Sequence, residues 1–196
     1  MPSPQMIARN GNYLLIDRGG SGAIAPISDN DPMRGTYSTF LTNVVPAASP
    51  TDILTIQGSK SKIIRLRQII VTGVATAASN VQIFITKRST ANTGGISAPQ
   101  SLVAHDSLDD PASAVLALYT VNPTGLGTSL GVTDGGRLNL APAANGGIDR
   151  LLFQYGWLND KAPLLNGPNE YYALGLAGSA MPAGGSFDIS VNISED

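Results

Sequence analysis

The sequence predicts an all-β protein: a single β-sandwich or jelly roll of about eight to ten strands with an extended N-terminal arm. Charged residues make up only 13% of the 196 positions, about half the usual share. The sequence therefore offers few charged residues for the solvent-exposed face of an amphipathic helix. The 22 glycines and 13 prolines are spread along the chain, as expected where many turns are needed. Apolar residues make up 42%, which supplies one substantial core.

Residues 1–35 differ in composition from the remainder and are interpreted as an extended arm, while residues 36–196 form the β-sandwich or jelly-roll domain. The arm is rich in turn residues such as Asn10-Gly11 and Gly19-Gly20. It holds one short apolar run, formed by Tyr13, Leu14, Leu15 and Ile16. These side chains would be costly to leave in water, so we expect the arm to dock on a neighbouring molecule.

Strand periodicity recurs from Gly35 onward. Apolar and polar residues alternate most clearly in Ser186–Ile193, the pattern of a strand with one buried face. Lys62–Thr72 is apolar on both faces, which indicates either a central strand covered on both sides or a bulge near Gln68. The predicted strands are Thr36–Val45, Asp52–Gln57, Lys62–Thr72, Asn80–Arg88, Ala114–Val121, Arg137–Ala141, Ile148–Tyr155, Glu170–Ala177 and Ser186–Ile193. The long connections Ser89–Ser113 and Asn122–Gly136 are expected to be loops that contact a partner.

The composition speaks against several classes of protein. There is no cysteine, so a disulfide, a zinc finger and a thiol nucleophile are excluded. The net charge of −2 predicts no nucleic-acid partner. No apolar run approaches the ~18 residues of a membrane span, and no basic start precedes an apolar region, so we expect no membrane contact and no secretory signal. We expect no enzyme and no cofactor, since no G-x-S-x-G turn or paired acids stand out.

Two loops are candidate ligand sites. His105, the single histidine, lies close to Asp106, Asp109 and Asp110, and oxygen-rich loops suit calcium. Their spacing matches no EF-hand, so turn formation is favoured and no metal is predicted. Gly125–Gly131 is glycine-rich, but it lacks both the dinucleotide spacing and the Gly-Lys-Ser/Thr ending of a phosphate loop. It is interpreted as a flexible loop.

Four further side chains are candidate partner contacts. Arg65 and Arg67 are two residues apart and share one face of a strand. A solvated face or an ion pair with a neighbouring subunit is favoured, with phosphate binding as the alternative. Tyr155 and Trp157 also share a face on an extended chain. Packing in the core is favoured for them, followed by a protein interface and then by stacking on a sugar.

Distinctive phrases run through most of the chain from Asp52 to Asp196. They include TKRSTANTGG (Thr86–Gly95), AHDSLDDPA (Ala104–Ala112) and RLNLAPA (Arg137–Ala143). In these segments the chain resembles a group of small tailed-bacteriophage virion proteins. The resemblance implies one β-sandwich or jelly-roll domain that self-assembles on the particle.

The resemblance therefore implies a structural part of a virion, assembled in the host cytoplasm. We expect a capsid decoration (cement) protein that binds the major capsid protein or other virion proteins. Low charge and strands that are apolar on both faces favour self-association as a homo-trimer or homo-dimer. A tail or fibre adaptor that contacts the host is the first alternative. A carbohydrate-binding module that uses Tyr155, Trp157 and Tyr172 is the second.

Overall fold

A computed structural model describes residues 34–46, 51–145, 148–156, 161–176, 178 and 180–196, and the backbone of three earlier strands. The chain divides into two compact units, Met1–Arg34 and Gly35–Asp196. In the first unit, β1 (Ile7–Arg9), β2 (Asn12–Ile16) and β3 (Ile24–Pro26) form an antiparallel sheet in the order β1-β2-β3. The apolar run Tyr13–Ile16 therefore lies in the middle strand of this sheet.

The second unit is all β in its described residues, apart from one 3-10 turn at Ala143–Asn145. Its strands are β4 (Gly35–Val44), β5 (Asp52–Gln57), β6 (Ile64–Val74), β7 (Ser79–Arg88), β8 (Ile96–Gln100), β9 (Val103–Ala104), β10 (Val115–Val121), β11 (Ser129–Leu140), β12 (Arg150–Gln154), β13 (Leu164–Leu165), β14 (Tyr171–Leu176) and β15 (Ser186–Glu195). Every predicted strand is present, although β11 begins at Ser129 rather than at Arg137. Within the described residues, no helix is long and apolar enough to cross a membrane.

The strands of the second unit form two antiparallel sheets, as in a β-sandwich. Sheet I has the order β12-β6-β15-β4-β9, with β13 also paired to β6. Sheet II has the order β11-β7-β14-β5-β10-β8. The pairing is nested along the chain: β4 with β15, β5 with β14, β6 with β12 and β7 with β11. The first four of these strands therefore pair, in reverse order, with the last four, as in one long folded hairpin.

One hydrophobic core takes its side chains from the inner faces of both sheets. The four inward side chains of β15 are at most 1% exposed: Phe187, Ile189, Val191 and Ile193. The inward side chains of β7 are fully buried: Val81, Ile83 and Ile85. Full burial of one such side chain contributes roughly 1.5–3 kcal/mol. The strands that alternate most clearly in sequence are therefore those that anchor the fold.

The ambiguous strand β6 contains a bulge. β15 pairs with Leu66 and with Gln68, but it has no residue opposite Arg67. The extra residue shifts the alternation, so that Leu66 and Ile69 both face the core with 2% and 1% exposure. The hypothesis of a bulge near Gln68 is confirmed.

The two long connections contain strands as well as loop residues, which corrects in part the prediction that Ser89–Ser113 and Asn122–Gly136 are loops. The first contains β8 and β9, and the second contains the start of β11. Between these strands, residues 89–95 and 122–128 continue the β7–β11 ladder. The Ser89 amide donates to the Thr128 carbonyl at 2.9 Å.

This two-stranded segment, residues 89–95 with residues 122–128, is called the crossing ribbon below. It joins the β7–β11 pair to the β8–β10 pair, and these two pairs lie at opposite edges of sheet II. The inner face of sheet II is filled by the core. The ribbon therefore crosses the outer face of the sheet, over β14 and β5.

Candidate interaction surface

A buried ion pair fastens the crossing ribbon to sheet II. Arg88, the last residue of β7, donates from Nε to Oδ2 and from Nη2 to Oδ1 of Asp52, both at 2.8 Å. The side chains of Arg88 and Asp52 are 7% and 5% exposed. Nη1 of Arg88 also donates to the Gly127 carbonyl at 2.8 Å. Two parallel charge-assisted bonds fix the geometry of the pair, so the ribbon is held in one place.

Asn92 completes this network. Its Nδ2 donates to Oδ2 of Asp52, and its Oδ1 accepts from the Gly127 amide, both at 2.8 Å. Gly127 has no room for a side chain, since a Cβ there would meet the Thr90 carbonyl oxygen. The glycine-rich stretch that was expected to be a flexible loop is therefore a packed part of the ribbon, which corrects that interpretation.

The ribbon closes the middle of the outer face of sheet II. Thr55 of β5 pairs with Ala173 of β14, and both alternate with side chains that face the core. They are nevertheless only 7% and 1% exposed. This part of sheet II is covered by the chain itself and is not offered to a partner.

The outer face of sheet I is different. Ser190 of β15 pairs with Phe40 of β4 and with Ile70 of β6, and Ile70 pairs with Leu152 of β12. These four side chains form a row across the sheet. Phe40 is 63% exposed and Leu152 is 39% exposed. The row is thus a partly apolar surface open to solvent.

Uncharged polar side chains flank this row. Asn192 pairs with Ser38 and Gln68, and its Nδ2 donates to the Gln68 Oε1 at 3.1 Å. Charges stand on the other side of the row, where Asp188 and Arg150 both lie opposite Thr72. The centres of protein interfaces are poor in charge and rich in aromatic residues. The outer face of sheet I is therefore the candidate interaction surface.

This surface ends at a strand edge that is mostly unpaired. β9 pairs only with Tyr37 and Ser38 of β4. Within the described residues, no strand lies beside the remainder of β4 on that side. We call residues Thr39–Val45 the open β4 edge. Its exposed N–H and C=O groups are a template for another strand.

Apolar side chains and clefts accompany the open β4 edge. Phe40, Val45 and Val103 are 63%, 63% and 64% exposed. Two clefts of about 450 and 490 Å³ share Phe40, Leu41 and Gln100 in their linings. The edge therefore offers main-chain hydrogen bonds, apolar contacts and recesses in one place.

The predicted arginines are used within the chain in different ways. Arg65 contacts Oδ2 of Asp196 through Nε at 2.7 Å and through Nη2 at 2.6 Å. Partly exposed pairs of this kind contribute about 0–1 kcal/mol. Arg67 lies at the bulge, and its guanidinium packs beside Gly156, whose φ is +69°.

The predicted aromatic residues do not form one open platform. Tyr155 donates from Oη to Oδ2 of Asp134 at 3.0 Å, and burial together with this carboxylate raises the pKa of Tyr155. Tyr172 faces the core at 4% exposure, and burial raises its pKa to about 12. Tyr171 lies on the opposite face of β14 and accepts from Gln57 at 3.0 Å. Trp157 lies outside the described residues.

The acidic loop after β9 is tied to β4. The His105 ring lies 3.0 Å from the Ser38 hydroxyl through Nε2. Asp106 accepts the Leu108 amide at 2.9 Å, which is a local turn. Tyr37 donates to the Asp110 carbonyl at 2.8 Å. No group of three or more metal-ligating side chains is assembled in the described part of the chain.

Glu195 is a buried residue that sequence reasoning missed. Its carboxylate is fully buried and accepts from the Ser113 amide at 2.8 Å, the Ser113 hydroxyl at 2.8 Å and the Ala114 amide at 2.9 Å. It thereby seats the start of β10 against β15. Nothing in the local sequence marks this role.

These observations define an all-β protein in which, among the described residues, a partly apolar sheet face and a strand edge are open to solvent. The candidates Tyr13, Leu14, Leu15 and Ile16 contribute the backbone of β2, and their side chains lie outside the described residues. No family model, curated protein or solved structure matches the chain.

Proposed function

We propose that the chain is a bacteriophage virion structural protein with a jelly-roll fold, and that it decorates the capsid. The nested pairing of β4–β15, β5–β14, β6–β12 and β7–β11 carries the fold part of the proposal. Two four-stranded sheets wound in this way are the jelly-roll pattern, which is used by viral capsid and lectin domains. In this assignment β8, β9 and β10 are an insertion between the fourth and fifth strands.

The resemblance to tailed-bacteriophage virion proteins supports the proposal that this chain is part of a phage particle. Its two most distinctive segments, Thr86–Gly95 and Ala104–Ala112, contain framework residues. The first includes Arg88 and Asn92 of the ribbon network, and the second is bonded to β4 through His105. Resemblance in segments that hold the fold together supports a shared fold. The position of the protein on the particle depends instead on its contact surfaces.

Decoration requires contacts that exist only on the assembled shell. The partly apolar outer face of sheet I supplies one such surface. Residues 1–35 supply the second: the apolar run Tyr13–Ile16, which lies in the middle strand of the sheet of the first unit, bridges neighbouring capsid subunits. A protein that binds only the assembled state stabilises it by mass action, by about 2.7 kcal/mol per site at a hundredfold excess over Kd.

The test mixes purified protein with expanded, undecorated capsids of the phage that encodes it. Decoration predicts saturable co-sedimentation at micromolar concentration and a higher temperature of shell disruption. Leu15→Asp in the arm should weaken binding, whereas Ile148→Asp, at a site that is 68% exposed and on the far side of sheet I from the β4 edge, should not. Absence of wild-type binding at micromolar concentration would refute the decoration role.

A tail or fibre adaptor is the second candidate, because the resemblance implies a protein of the phage particle but does not indicate its position on the particle. The same sheet face and arm would serve between tail components. Gene order separates the two: a neighbouring major capsid gene favours decoration, and neighbouring tail genes favour the adaptor.

A further inference from the structure

The edge strands of the second unit are protected unequally. β11, at one edge of sheet II, carries Asp134 and Arg137 and two register shifts. β8, at the other edge, is five residues long and contains Pro99. β12, at one edge of sheet I, begins with Arg150. Charges, proline, bulges and short strands are the usual devices that stop sheets from pairing through their edges.

The open β4 edge has fewer of these devices. Thr39–Val45 contains no charged residue and no proline. It contains one bulge, at Thr42 and Asn43, which lie between the β15 pairs Leu41–Ile189 and Val44–Phe187. Asn43 has φ of +52° and donates its amide to Oδ1 of Asp188 at 2.8 Å. The three residues before the bulge, Thr39–Leu41, present a regular edge that carries the exposed Phe40 side chain.

We propose that two copies of this chain pair through their open β4 edges, antiparallel and about a two-fold axis, with Phe40 of each copy seated in a cleft of the other. A two-fold axis is the simplest symmetry for such a contact, because the same patch then meets itself and both edges are satisfied at once. A single bound peptide would satisfy one edge only.

The surface is complementary to itself in shape. It carries an exposed aromatic side chain, Phe40, and it carries the recesses that such a ring can enter. The first cleft is lined by residues 40–45 and by Gln100, Leu118, Tyr119 and Thr120. The second is lined by Ser38–Leu41 and by Gln100, Ser101, Val103, Ser190 and Asn192. Buried aromatic residues in pockets are the usual anchors of protein interfaces.

The surface is also complementary to itself in charge. None of the residues that line the two clefts carries a charge at neutral pH. Like surfaces brought together by a two-fold axis would place equal charges face to face, and such contacts cost several kcal/mol. Clefts without charge avoid this cost, which favours a second copy of the chain as the occupant.

The inference deepens the self-association step of the proposed function and commits it to a dimer. It can be separated from decoration. A dimer that fails to bind capsids would keep this inference and refute decoration, whereas a monomer that binds capsids would do the reverse.

The first test is sedimentation equilibrium of the wild type, Phe40→Lys and Ile148→Lys. Phe40 and Ile148 are 63% and 68% exposed, so the two substitutions are matched in their cost to the fold. We expect the wild type and Ile148→Lys to be dimers and Phe40→Lys to associate at least tenfold more weakly. A wild-type monomer, or Phe40→Lys dimers as tight as the wild type, would overturn the proposal.

The second test uses the absence of cysteine from the chain. Thr42→Cys places one thiol on the open β4 edge, and Ile148→Cys places one far from it. A flexible bis-maleimide cross-linker should give a covalent dimer from Thr42→Cys and only traces from Ile148→Cys. Equal cross-linking of both variants would overturn the proposal. A second result would also overturn the proposal: protection of the Thr39–Val44 amides from hydrogen exchange only after capsids are added. The occupant of the edge would then be a capsid segment.

Discussion

The Asp52–Arg88 pair gives the sharpest prediction about stability. Arg88→Met removes three hydrogen bonds of 2.8 Å and leaves the Asp52 carboxylate buried with Asn92 as its remaining partner. Removing one partner of a buried pair costs about 3–5 kcal/mol, because the other charge stays away from water without compensation. A domain has only about 5–15 kcal/mol in total, so a third or more of the stability should be lost.

The assay is equilibrium urea unfolding followed by far-ultraviolet circular dichroism, on the wild type, Arg88→Met, Asp52→Leu and the double variant. The double variant leaves no buried charge, so it should be less destabilised than the sum of the single variants by about 2 kcal/mol or more. Amide exchange should rise first in residues 89–95 and 122–128, since the pair fastens the crossing ribbon. A loss below about 1 kcal/mol for Arg88→Met, or additive single effects, would refute the reasoning.

Three further predictions test the core, the ribbon and the buried tyrosines. Phe187→Ala should cost about 3–5 kcal/mol, whereas Phe40→Ala should stay within about 0.5 kcal/mol; urea unfolding checks both, and equal costs would contradict the assigned faces. Gly127→Ala should lower the melting temperature by several degrees, because its Cβ meets the Thr90 carbonyl; an unchanged melting temperature would contradict the packed ribbon. In an alkaline absorbance titration, Tyr155 and Tyr172 should ionise above the ordinary tyrosine value of pH 10. Since the pKa of Tyr172 rises from 10.0 to about 12, its contribution to stability is complete below pH 10 and is lost as the pH rises through 12. A single step near pH 10 in the folded protein would contradict this.

The main strands could be predicted because their signal is local. Ser186–Ile193 alternates in step with the two faces of β15, and even the bulge in β6 left its mark as a change of phase near Gln68. A strand with one buried face shows alternating apolar and polar residues, so it can be predicted without knowing which strands are its neighbours.

The crossing ribbon could not be predicted because its cause is not local. β8 pairs with β10, and residues 89–95 run beside residues 122–128, which lie more than 25 positions away in the chain. Asp52 is the single acid between residues 52 and 95, but its partner Arg88 is 36 positions distant. Glycines that serve close packing at Gly127 have the same sequence appearance as glycines in a flexible loop.

The interaction surface was hidden for a related reason. Phe40 alternates like any strand residue, and only the sheet order shows that β4 is flanked by two paired residues of β9 and is open beyond them. The side chains singled out beforehand, Arg65 and Tyr155, instead make contacts within the chain.

A cryo-electron microscopy reconstruction of the phage particle that encodes this chain tests the central claim most directly. Decoration predicts two-sheet density on the outside of the capsid shell, repeated with its symmetry, with residues 1–35 bridging neighbouring capsid subunits. Density for this domain at the tail, or a shell whose outer surface is bare in the mature particle, would contradict the claim.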